Sequence, residues 1–456
     1  MREAFESWFE KREKSHIEDL FTFLKFQSVS TDPAFQGEME ACASWLEGYM
    51  RECGLEVERW ETEGYPTLYG EVKSTEVERP TLLFYGHYDV QPPHPFEAWK
   101  SPPFEPVIRE GAIFARGAID NKGQGFYTLL ALRAFLESSL ASKINLKIIL
   151  EGEEEVGSPG LMKIANEKKE KLKADHIFVV DLDMASPTRA AVTLGSRGLV
   201  TLNLTVKNGT TDLHSGLFGG IALNPARALC KALDKLWDER GVIQIPGFYD
   251  SIMRIPQEEL QSLAWDLDQK QMRESFAFQT EESYSALEAN WLRPSLEING
   301  LTSGYQGKGV KTVIPSEAHV KLSARLVLGQ KVEAILKGME EFLIDHLPEG
   351  VELHFEKGDG AEAFVTSPHS LSARMAQEAY EPLFPSKPAL KLSGATIPIV
   401  ATLSRVCAGD LVMIGIALPD DNMHAPNEKI GLERFKKGFL SVTSILELFS
   451  TRRLSC

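Results

Sequence analysis

Three apolar runs in the first half of the sequence each end in acidic residues or a histidine, and this feature constrains the fold most strongly. The runs are TLLFYGHYD, KINLKIILEGEEE and HIFVVDLD, with the helical pattern FYTLLALRAFLESS among them. Alternating strands and helices are typical of an α/β fold with crossover helices. Because polar groups in such sheets gather at the carboxyl ends of the strands, these side chains are predicted to converge on one crevice.

The pattern changes after about residue 196, which indicates an inserted unit. LVTLNLTVKNG predicts a strand, a helix is predicted from Asn224, and VIPSEAHVKLSARLVL followed by KVEAILKGMEEFLIDHL predicts two strands and a helix. This order suits a small α+β insert. We predict an α/β domain with a central mixed sheet, formed by residues 1–196 and 371–456, interrupted by an α+β domain at 197–370.

Charge and cysteine content limit the classes of partner. The net charge of -16 opposes binding to nucleic acid or to anionic lipid, because phosphate contacts rely on Lys and Arg. The N-terminal segment has the pattern of a charged amphipathic helix rather than a signal peptide, and no apolar stretch has the length of a membrane span. The cysteines are odd in number and widely spaced, which favours reduced thiols and a cytoplasmic protein.

Two of the motifs contain residue types that bind metals. In GHYDV, His87 and Asp89 are two residues apart, so the strand period points them to one side, where one can bind a metal and the other can orient it. In ARGAIDNKGQG, Asp120 lies in a glycine-rich turn before a helix. Taken alone, that turn could equally be a helix cap or a phosphate loop.

The acidic cluster EGEEEVGS is less ordinary, because four glutamates follow an apolar strand. A solvated acidic loop is the alternative; in a metal site one glutamate binds a cation and its neighbour accepts a proton from water. FVVDLDMAS offers Asp181 or Asp183 as a ligand, and ALPDDNMHAPNE offers His424. The mixture of oxygen and nitrogen donors suits Zn or Mn rather than calcium. Three carboxylates and one hydroxide would balance two divalent cations.

The motifs GHYDVQPP, GAIDNKGQ, EGEEEVGS, DLDMASP with GSRGL, HSGLFGG and MHAPNE occur in the order seen in a metallopeptidase family. The chain resembles the carnosinase-type dipeptidases, carboxypeptidases and aminoacylases of that family over nearly its whole length. The resemblance implies a zinc-peptidase-like catalytic domain and a lid or dimerisation domain. It also implies two metal sites that share Asp120, one completed by His87 and Asp181 and the other by Glu155 and His424.

The resemblance further implies roles for residues around the metals. Glu154 would be the general base toward a metal-bridging hydroxide, Asp89 would steady His87, and the Asp120–Asn121 peptide would be cis. His214 would reach across a homodimer interface to stabilise the oxyanion. The substrate carboxylate would be held by a set of four residues: Arg325, Thr312, Thr396 and Gly394. The family usually has Leu where Ser196 stands.

The activity implied is hydrolysis of dipeptides or short peptides with a free C-terminal carboxylate. The long stretch from GFYDSIMRIPQEELQSLA through WLRPSLEINGLTSGYQGKGVKTVIP resembles the dipeptidase branch, whose insert is larger than that of the short deacylases. The expected cofactors are two divalent cations, Zn first and Mn or Co as alternatives. An N-acyl-amino-acid deacylase or desuccinylase would use the same centre, and a non-catalytic scaffold on this fold would be expected to have lost a ligand.

Overall fold

The computed structural model describes residues 1–264, 284–358 and 360–452. Residues 265–283, which belong to the long stretch compared with the dipeptidases, lie outside the described residues, as does Cys456. The strands in the described ranges are β1 (Glu56–Trp60), β2 (Thr67–Val72), β3 (Thr81–His87), β4 (Val107–Arg109), β5 (Ala112–Phe114), β6 (Asn145–Glu151), β7 (His176–Val180), β8 (Ala191–Ser196), β9 (Gly198–Lys207), β10 (Leu213–His214), β11 (Ser295–Ser303), β12 (Val313–Ile314), β13 (Glu317–Leu326), β14 (Glu352–Lys357), β15 (Phe364–Val365), β16 (Ala389–Ser393), β17 (Asp410–Ile414) and β18 (Lys429–Gly431).

The α-helices of the described ranges are numbered in the same way. They are α1 (Arg2–Glu10), α2 (Glu13–Lys25), α3 (Gln36–Glu52), α4 (Lys122–Leu136), α5 (Pro159–Ala165), α6 (Lys169–Leu172), α7 (Ser215–Phe218), α8 (Pro225–Asp234), α9 (Gln257–Gln261), α10 (Ala286–Trp291), α11 (Val332–His346), α12 (Leu371–Tyr380), α13 (Pro398–Cys407) and α14 (Leu432–Thr451). None of these helices is long and apolar enough to cross a membrane.

A nine-stranded sheet forms the centre of the larger unit. Its order is β1-β2-β6-β3-β7-β17-β8-β15, and β16 also pairs with β8. The central strands β6, β3, β7 and β17 are parallel, while β1, β2, β8 and β15 are joined through antiparallel pairs. The prediction of an α/β fold with a central mixed sheet is therefore confirmed.

Helix α4 carries the chain from the Asp120 loop back across the sheet. Its side chains are buried on almost every face, because it lies between β3 and the long C-terminal helix α14. A helix that is apolar all round is typical of such an interior position. The packing fixes the first turn of α4, which follows Asn121, against the end of the sheet.

The N-terminal segment forms two helices rather than the one that its amphipathic pattern predicts. Helix α1 ends at Glu10 and α2 begins at Glu13. The break allows the two helices to bury their aromatic residues on different partners: the ring of Phe9 lies 5.0 Å from that of Phe439, and the ring of Phe23 lies 6.3 Å from that of Phe126. One straight helix has a single apolar face and could not serve both contacts.

A second sheet of four antiparallel strands, in the order β11-β13-β9-β14, forms the inserted unit. It has its own apolar core, in which residues of β9 and β13 pack against α8 and α11. The chain leaves the large sheet at Ser196 and enters the small one at Gly198, and it rejoins the large sheet at Phe364. The return falls a few residues before the expected boundary at 370, and the domain limits themselves remain a prediction.

Candidate metal centre

All of the predicted metal ligands lie at one edge of the large sheet. His87 ends β3 and Asp181 follows β7, while Glu155 follows β6 and His424 lies in the loop after β17. Strands β6, β3, β7 and β17 are parallel neighbours, so their carboxyl ends are adjacent. Asp120 reaches the same edge from the loop before α4.

The five side chains form two overlapping triads. His87, Asp120 and Asp181 form one, and Asp120, Glu155 and His424 form the other; within each triad the candidate ligand atoms lie within 4.8 Å of one another. Asp120 Oδ1 lies 3.1 Å from His87 Nε2, and Asp120 Oδ2 lies 2.7 Å from His424 Nε2. Each oxygen of Asp120 thus faces a different imidazole, which is the arrangement that a bridging carboxylate requires. The Asp120–Asn121 peptide is cis, as the resemblance implied.

The strand pattern left Asp181 and Asp183 open as ligands, the resemblance implied Asp181, and the structure gives the two residues different surroundings. Asn121 Nδ2 donates a 2.6 Å hydrogen bond to Asp181 Oδ1, which lies 3.7 Å from His87 Nε2. Asp183 is half-exposed and pairs with Lys391 Nζ at 2.8 Å instead. Only Asp181 therefore belongs to the triads.

Asp89 connects the two parts of the centre without joining either triad. His87 Nδ1 lies 3.1 Å from the carbonyl oxygen and 3.2 Å from Oδ1 of Asp89, which leaves Nε2 facing Asp120. The Asp89 carboxylate also accepts from the backbone N–H groups of Glu154 and Glu155, at 3.2 and 3.0 Å. A further donor, the Ser30 hydroxyl, lies 2.7 Å from Oδ2. One buried carboxylate thereby orients the histidine and the acidic turn together.

The two neighbouring glutamates of the turn have different surroundings. Glu155 Oε2 accepts from Gln91 Nε2 at 2.7 Å and lies 3.3 Å from His424 Nε2. Glu155 Oε1 is buried and has no hydrogen-bond partner in the described part of the chain, an arrangement that a cation would satisfy. Glu154 lies outside both triads, with Oε2 3.9 Å from His87 Nε2.

The electrostatics of the centre indicate excess negative charge. Burial raises the pKa of Asp181 to about 6, and it holds the pKa of Glu154 well above its usual range. Hydrogen bonds to Asp120 and then to Glu155 raise the pKa of His424 to about 10. Carboxylates that cannot all ionise, beside imidazoles that retain protons, attract positive charge strongly. Divalent cations would displace these protons, and the donors present, two imidazoles and three carboxylates, suit Zn or Mn.

A second group of predicted residues lies where the inserted unit meets the large sheet. Arg325 Nη1 donates to Thr396 Oγ1 at 2.7 Å, and the same hydroxyl donates to the carbonyl oxygen of Arg197 at 2.6 Å. Arg197 Nε donates to the carbonyl oxygen of Gly394 at 3.0 Å. The structure therefore brings Arg325, Thr396 and Gly394 together.

Arg197 was not among the predicted site residues, although it lies within the GSRGL motif. It is 8% exposed, and burial followed by the charge of Arg325 lowers its pKa to about 10. In the described ranges neither guanidinium forms an ion pair with a carboxylate. Two partly buried positive charges, offset only in part by the charge of Glu297 near Arg197, make this junction suitable for an anion.

His214 and Thr312 lie elsewhere, on a two-stranded ribbon of the inserted unit. Strands β10 and β12 pair there, and Ser215 N donates to the carbonyl oxygen of Thr312 at 3.1 Å. Both side chains are exposed. Within the described ranges, neither residue contacts the triads through a hydrogen bond or an ion pair.

Ser30 and Gln91 also form hydrogen bonds within the centre, but no sequence pattern indicates these contacts. Ser30 is distant in sequence from Asp89 and reaches it because Val29 bridges to Val90. Gln91 lies beside GHYDV, but its contact with Glu155 depends on the turn after β6. Long-range hydrogen bonds of this type leave no local pattern in a sequence.

Comparisons with known proteins identify a family and a shared fold. A sequence model described as Peptidase family M20/M25/M40 matches residues 83–448. The human protein named Beta-Ala-His dipeptidase is 32% identical over 369 residues, 78% of this chain and 72% of that protein. The Schizosaccharomyces pombe protein named Cys-Gly metallodipeptidase dug1 is 27% identical, over 97% of each chain. The crystal structure of an M20 family metallo-carboxypeptidase from Sulfolobus solfataricus superposes with a TM-score of 0.84 at 29% identity, covering 95% of this chain and 99% of that one.

The contact between Ser30 and Asp89 generates a testable prediction. Ser30→Ala removes the hydroxyl donor from a buried carboxylate that orients His87 and the acidic turn. We expect divalent metal to bind about 10-fold more weakly, as is typical when a group that supports a ligand is lost. Competition with a chromogenic chelator measures this affinity. Ser44→Ala, which removes an exposed hydroxyl from α3, is the control, and equal affinities in the two variants would refute the role of Ser30.

Proposed function

The chain belongs to the peptidase family M20/M25/M40, and from this premise we propose that it is a metal-dependent dipeptidase. It hydrolyses the amide bond of dipeptides or short peptides that have a free C-terminal carboxylate. The observation that carries the proposal is the carboxylate of Asp120, shared between two ligand triads beside a glutamate that belongs to neither. The names of the relatives support the same substrate class, because two of them are called dipeptidases.

Two divalent cations are the proposed cofactors, with Zn first and Mn or Co as alternatives. His87, Asp120 and Asp181 would hold one cation, and Asp120, Glu155 and His424 the other. When bound, such a pair lowers the pKa of a water molecule and polarises the amide carbonyl of the substrate.

Glu154 is the proposed general base. The Glu154 carboxylate is next to the triads. The backbone N–H of Glu154 donates a hydrogen bond to the Asp89 carboxylate, and this bond fixes the turn that carries Glu154. Glu154 takes a proton from the attacking water and gives it to the nitrogen of the leaving amine as the amide bond breaks. The carboxylate is regenerated at the end of the cycle, so one residue serves first as base and then as acid.

The two guanidinium groups at the domain junction support a preference for substrates with a free carboxylate. Arg325 would hold that carboxylate by charge-assisted hydrogen bonds, beside Thr396, whose hydroxyl accepts from Arg325, and Gly394, whose carbonyl oxygen accepts from Arg197. Fixing the C-terminus at one end and the scissile amide at the other limits the number of residues on the C-terminal side of the scissile bond.

We also propose that the protein is a homodimer. His214 and Thr312 are exposed on a part of the inserted unit that also exposes Leu217 and Ile221, which are 70% and 81% exposed. Apolar side chains clustered on a surface often mark a protein interface. In a dimer, His214 from one subunit would stabilise the oxyanion in the other, and Thr312 would complete the carboxylate site.

A cytoplasmic location is part of the proposal. Cys42, Cys53, Cys230 and Cys407 are free thiols, and three of them are buried. Free cysteines of this kind suit a reducing compartment.

Substrate class is tested by assaying metal-loaded protein with dipeptides, tripeptides and N-acetyl amino acids that share C-terminal residues. We expect dipeptides to be cleaved fastest, and we expect a chelator to abolish cleavage until Zn or Mn is restored. The readout is the amount of free amino acid released. Cleavage of acyl amino acids alone would replace the dipeptidase with a deacylase, and turnover that survives full removal of metal would refute both.

Replacing Glu154 tests the proposed base. Glu154→Gln keeps the size of the side chain but removes the proton acceptor, so we expect turnover to fall by about 10²–10⁴-fold with metal content unchanged. Steady-state kinetics and metal analysis on the same sample provide the readouts. Glu153→Gln is the matched control, because the Glu153 carboxylate accepts from Thr62 at 3.1 Å instead of facing the triads. Retained activity in Glu154→Gln would exclude Glu154 as the base.

Replacing His214 tests the dimeric active site. His214→Ala removes the proposed oxyanion donor, so we expect kcat to fall by about 10²–10³-fold while metal binding is unaffected. The control is His354→Ala, another exposed histidine of the inserted unit. Mixing inactive His214→Ala subunits with inactive Glu154→Gln subunits should restore activity, because one of the two sites in a mixed dimer is intact. If verified mixed dimers recovered no activity, His214 would not act in the active site of the other subunit.

A further inference from the structure

Glu428 is completely buried four residues after His424, yet its side chain points to a different loop from the one that carries it. Its carboxylate accepts hydrogen bonds from the segment that leads to Asp120. The two segments carry ligands of the same triad. A single side chain therefore connects the backbone positions of Asp120 and His424.

The contacts of Glu428 use both carboxylate oxygens. Oε1 accepts from the backbone N–H groups of Ile119 at 2.9 Å and Asp120 at 3.0 Å. Oε2 accepts from the N–H of Gly117 at 2.9 Å and from Arg116 Nη1 at 2.8 Å. A carboxylate with four donors in place has its hydrogen-bonding capacity filled. No oxygen of Glu428 remains available to a metal, so its role is different from that of the triad residues.

Arg116 completes the connection. Its side chain is 1% exposed, and Nη2 donates to the carbonyl oxygen of Pro92 at 3.2 Å. Its guanidinium also lies over the ring of Trp99, 5.5 Å from the centroid. Removing one member of a buried ion pair leaves the other charge without compensation, so the two residues depend on each other.

The loop that carries His424 needs such an anchor. Asn422, His424 and Asn427 have φ values of 57, 58 and 64°, in the left-handed region that non-glycine residues seldom adopt. Such conformations persist only where surrounding contacts determine them. At the end of this loop, Ala115 N donates to the Glu428 carbonyl at 3.1 Å, and β18 then pairs with β5.

We propose that Glu428 and Arg116 are a positioning pair that sets the separation between Asp120 and His424. The inference rests on the proposed function, because that separation matters only if the two residues share a cation. The pair touches neither substrate nor metal and acts through the backbone N–H of Asp120 on one side and the His424 loop on the other. Loss of the pair should therefore affect the Asp120, Glu155 and His424 site more than the site of His87 and Asp181.

The test measures stepwise metal affinity and steady-state kinetics in Glu428→Gln. The amide nitrogen of glutamine would oppose the N–H of Gly117 or Arg116, so the four-donor arrangement cannot form. We expect one of the two bound metals to be held about 10–100-fold more weakly, with kcat reduced and KM for the dipeptide little changed. Leu46→Ala, a core variant in α3 remote from both loops, is the control for a general loss of stability.

A second variant keeps the test decisive if Glu428→Gln does not fold. Arg116→Lys leaves Glu428 with its backbone donors and retains a positive charge, so a smaller loss of affinity for the same metal is expected. The proposal would be overturned if a folded variant bound both metals with wild-type affinity while its melting temperature fell as in Leu46→Ala. The pair would then have only a structural role. Failure of the wild-type protein to bind metal or cleave dipeptides would instead refute the proposed function.

Discussion

The position of the Asp120 carboxylate between two imidazoles is the constraint on which the rest of the centre depends. Its oxygens lie 3.1 Å from His87 Nε2 and 2.7 Å from His424 Nε2, and two more carboxylates lie within the same few ångströms. Burial disfavours ionised carboxylates, and their mutual repulsion adds to that cost. Donors such as Asn121 Nδ2 on Asp181 and Gln91 Nε2 on Glu155 offset part of it. Cations fitted to both triads would offset the remainder, and this is the physical basis for proposing two metals at the centre.

The fold supplies this arrangement by placing parallel strands side by side in one sheet and by adding contacts between the loops that follow them. Strands β6, β3, β7 and β17 bring four loops to one edge, but strand order alone fixes their side chains only coarsely. Finer placement comes from two buried carboxylates that are not in the triads. Asp89 orients His87 and the acidic turn, and Glu428 holds the Asp120 loop against the His424 loop. The residues proposed to bind substrate are divided differently, since Arg325 and Thr396 meet within one chain whereas His214 does not contact the triads in the described ranges.

The sequence predicts the strand ends well, because a short apolar run that stops at charged residues is compatible with few structures other than a buried strand that ends there. The strand pattern alone could not choose between Asp181 and Asp183, since residues two apart lie on the same side of a strand, and the choice of Asp181 came from the family resemblance. In the structure Asp183 pairs instead with Lys391, from a distant part of the chain. The break between α1 and α2 was missed because no local sequence signal marks it. It results from packing, since α1 contacts α14 and α2 contacts α4. Ser30 and Arg197 were missed for a related reason, as their importance lies in contacts made far along the sequence.

Whether Asp120 bridges two metals is tested most directly by anomalous X-ray diffraction from crystals of the zinc-loaded protein, with data collected on both sides of the zinc absorption edge. A shared two-metal centre should give two anomalous peaks on either side of the Asp120 carboxylate, one next to His87 and Asp181 and the other next to Glu155 and His424. A single peak, or peaks that lie away from Asp120, would contradict a shared two-metal centre.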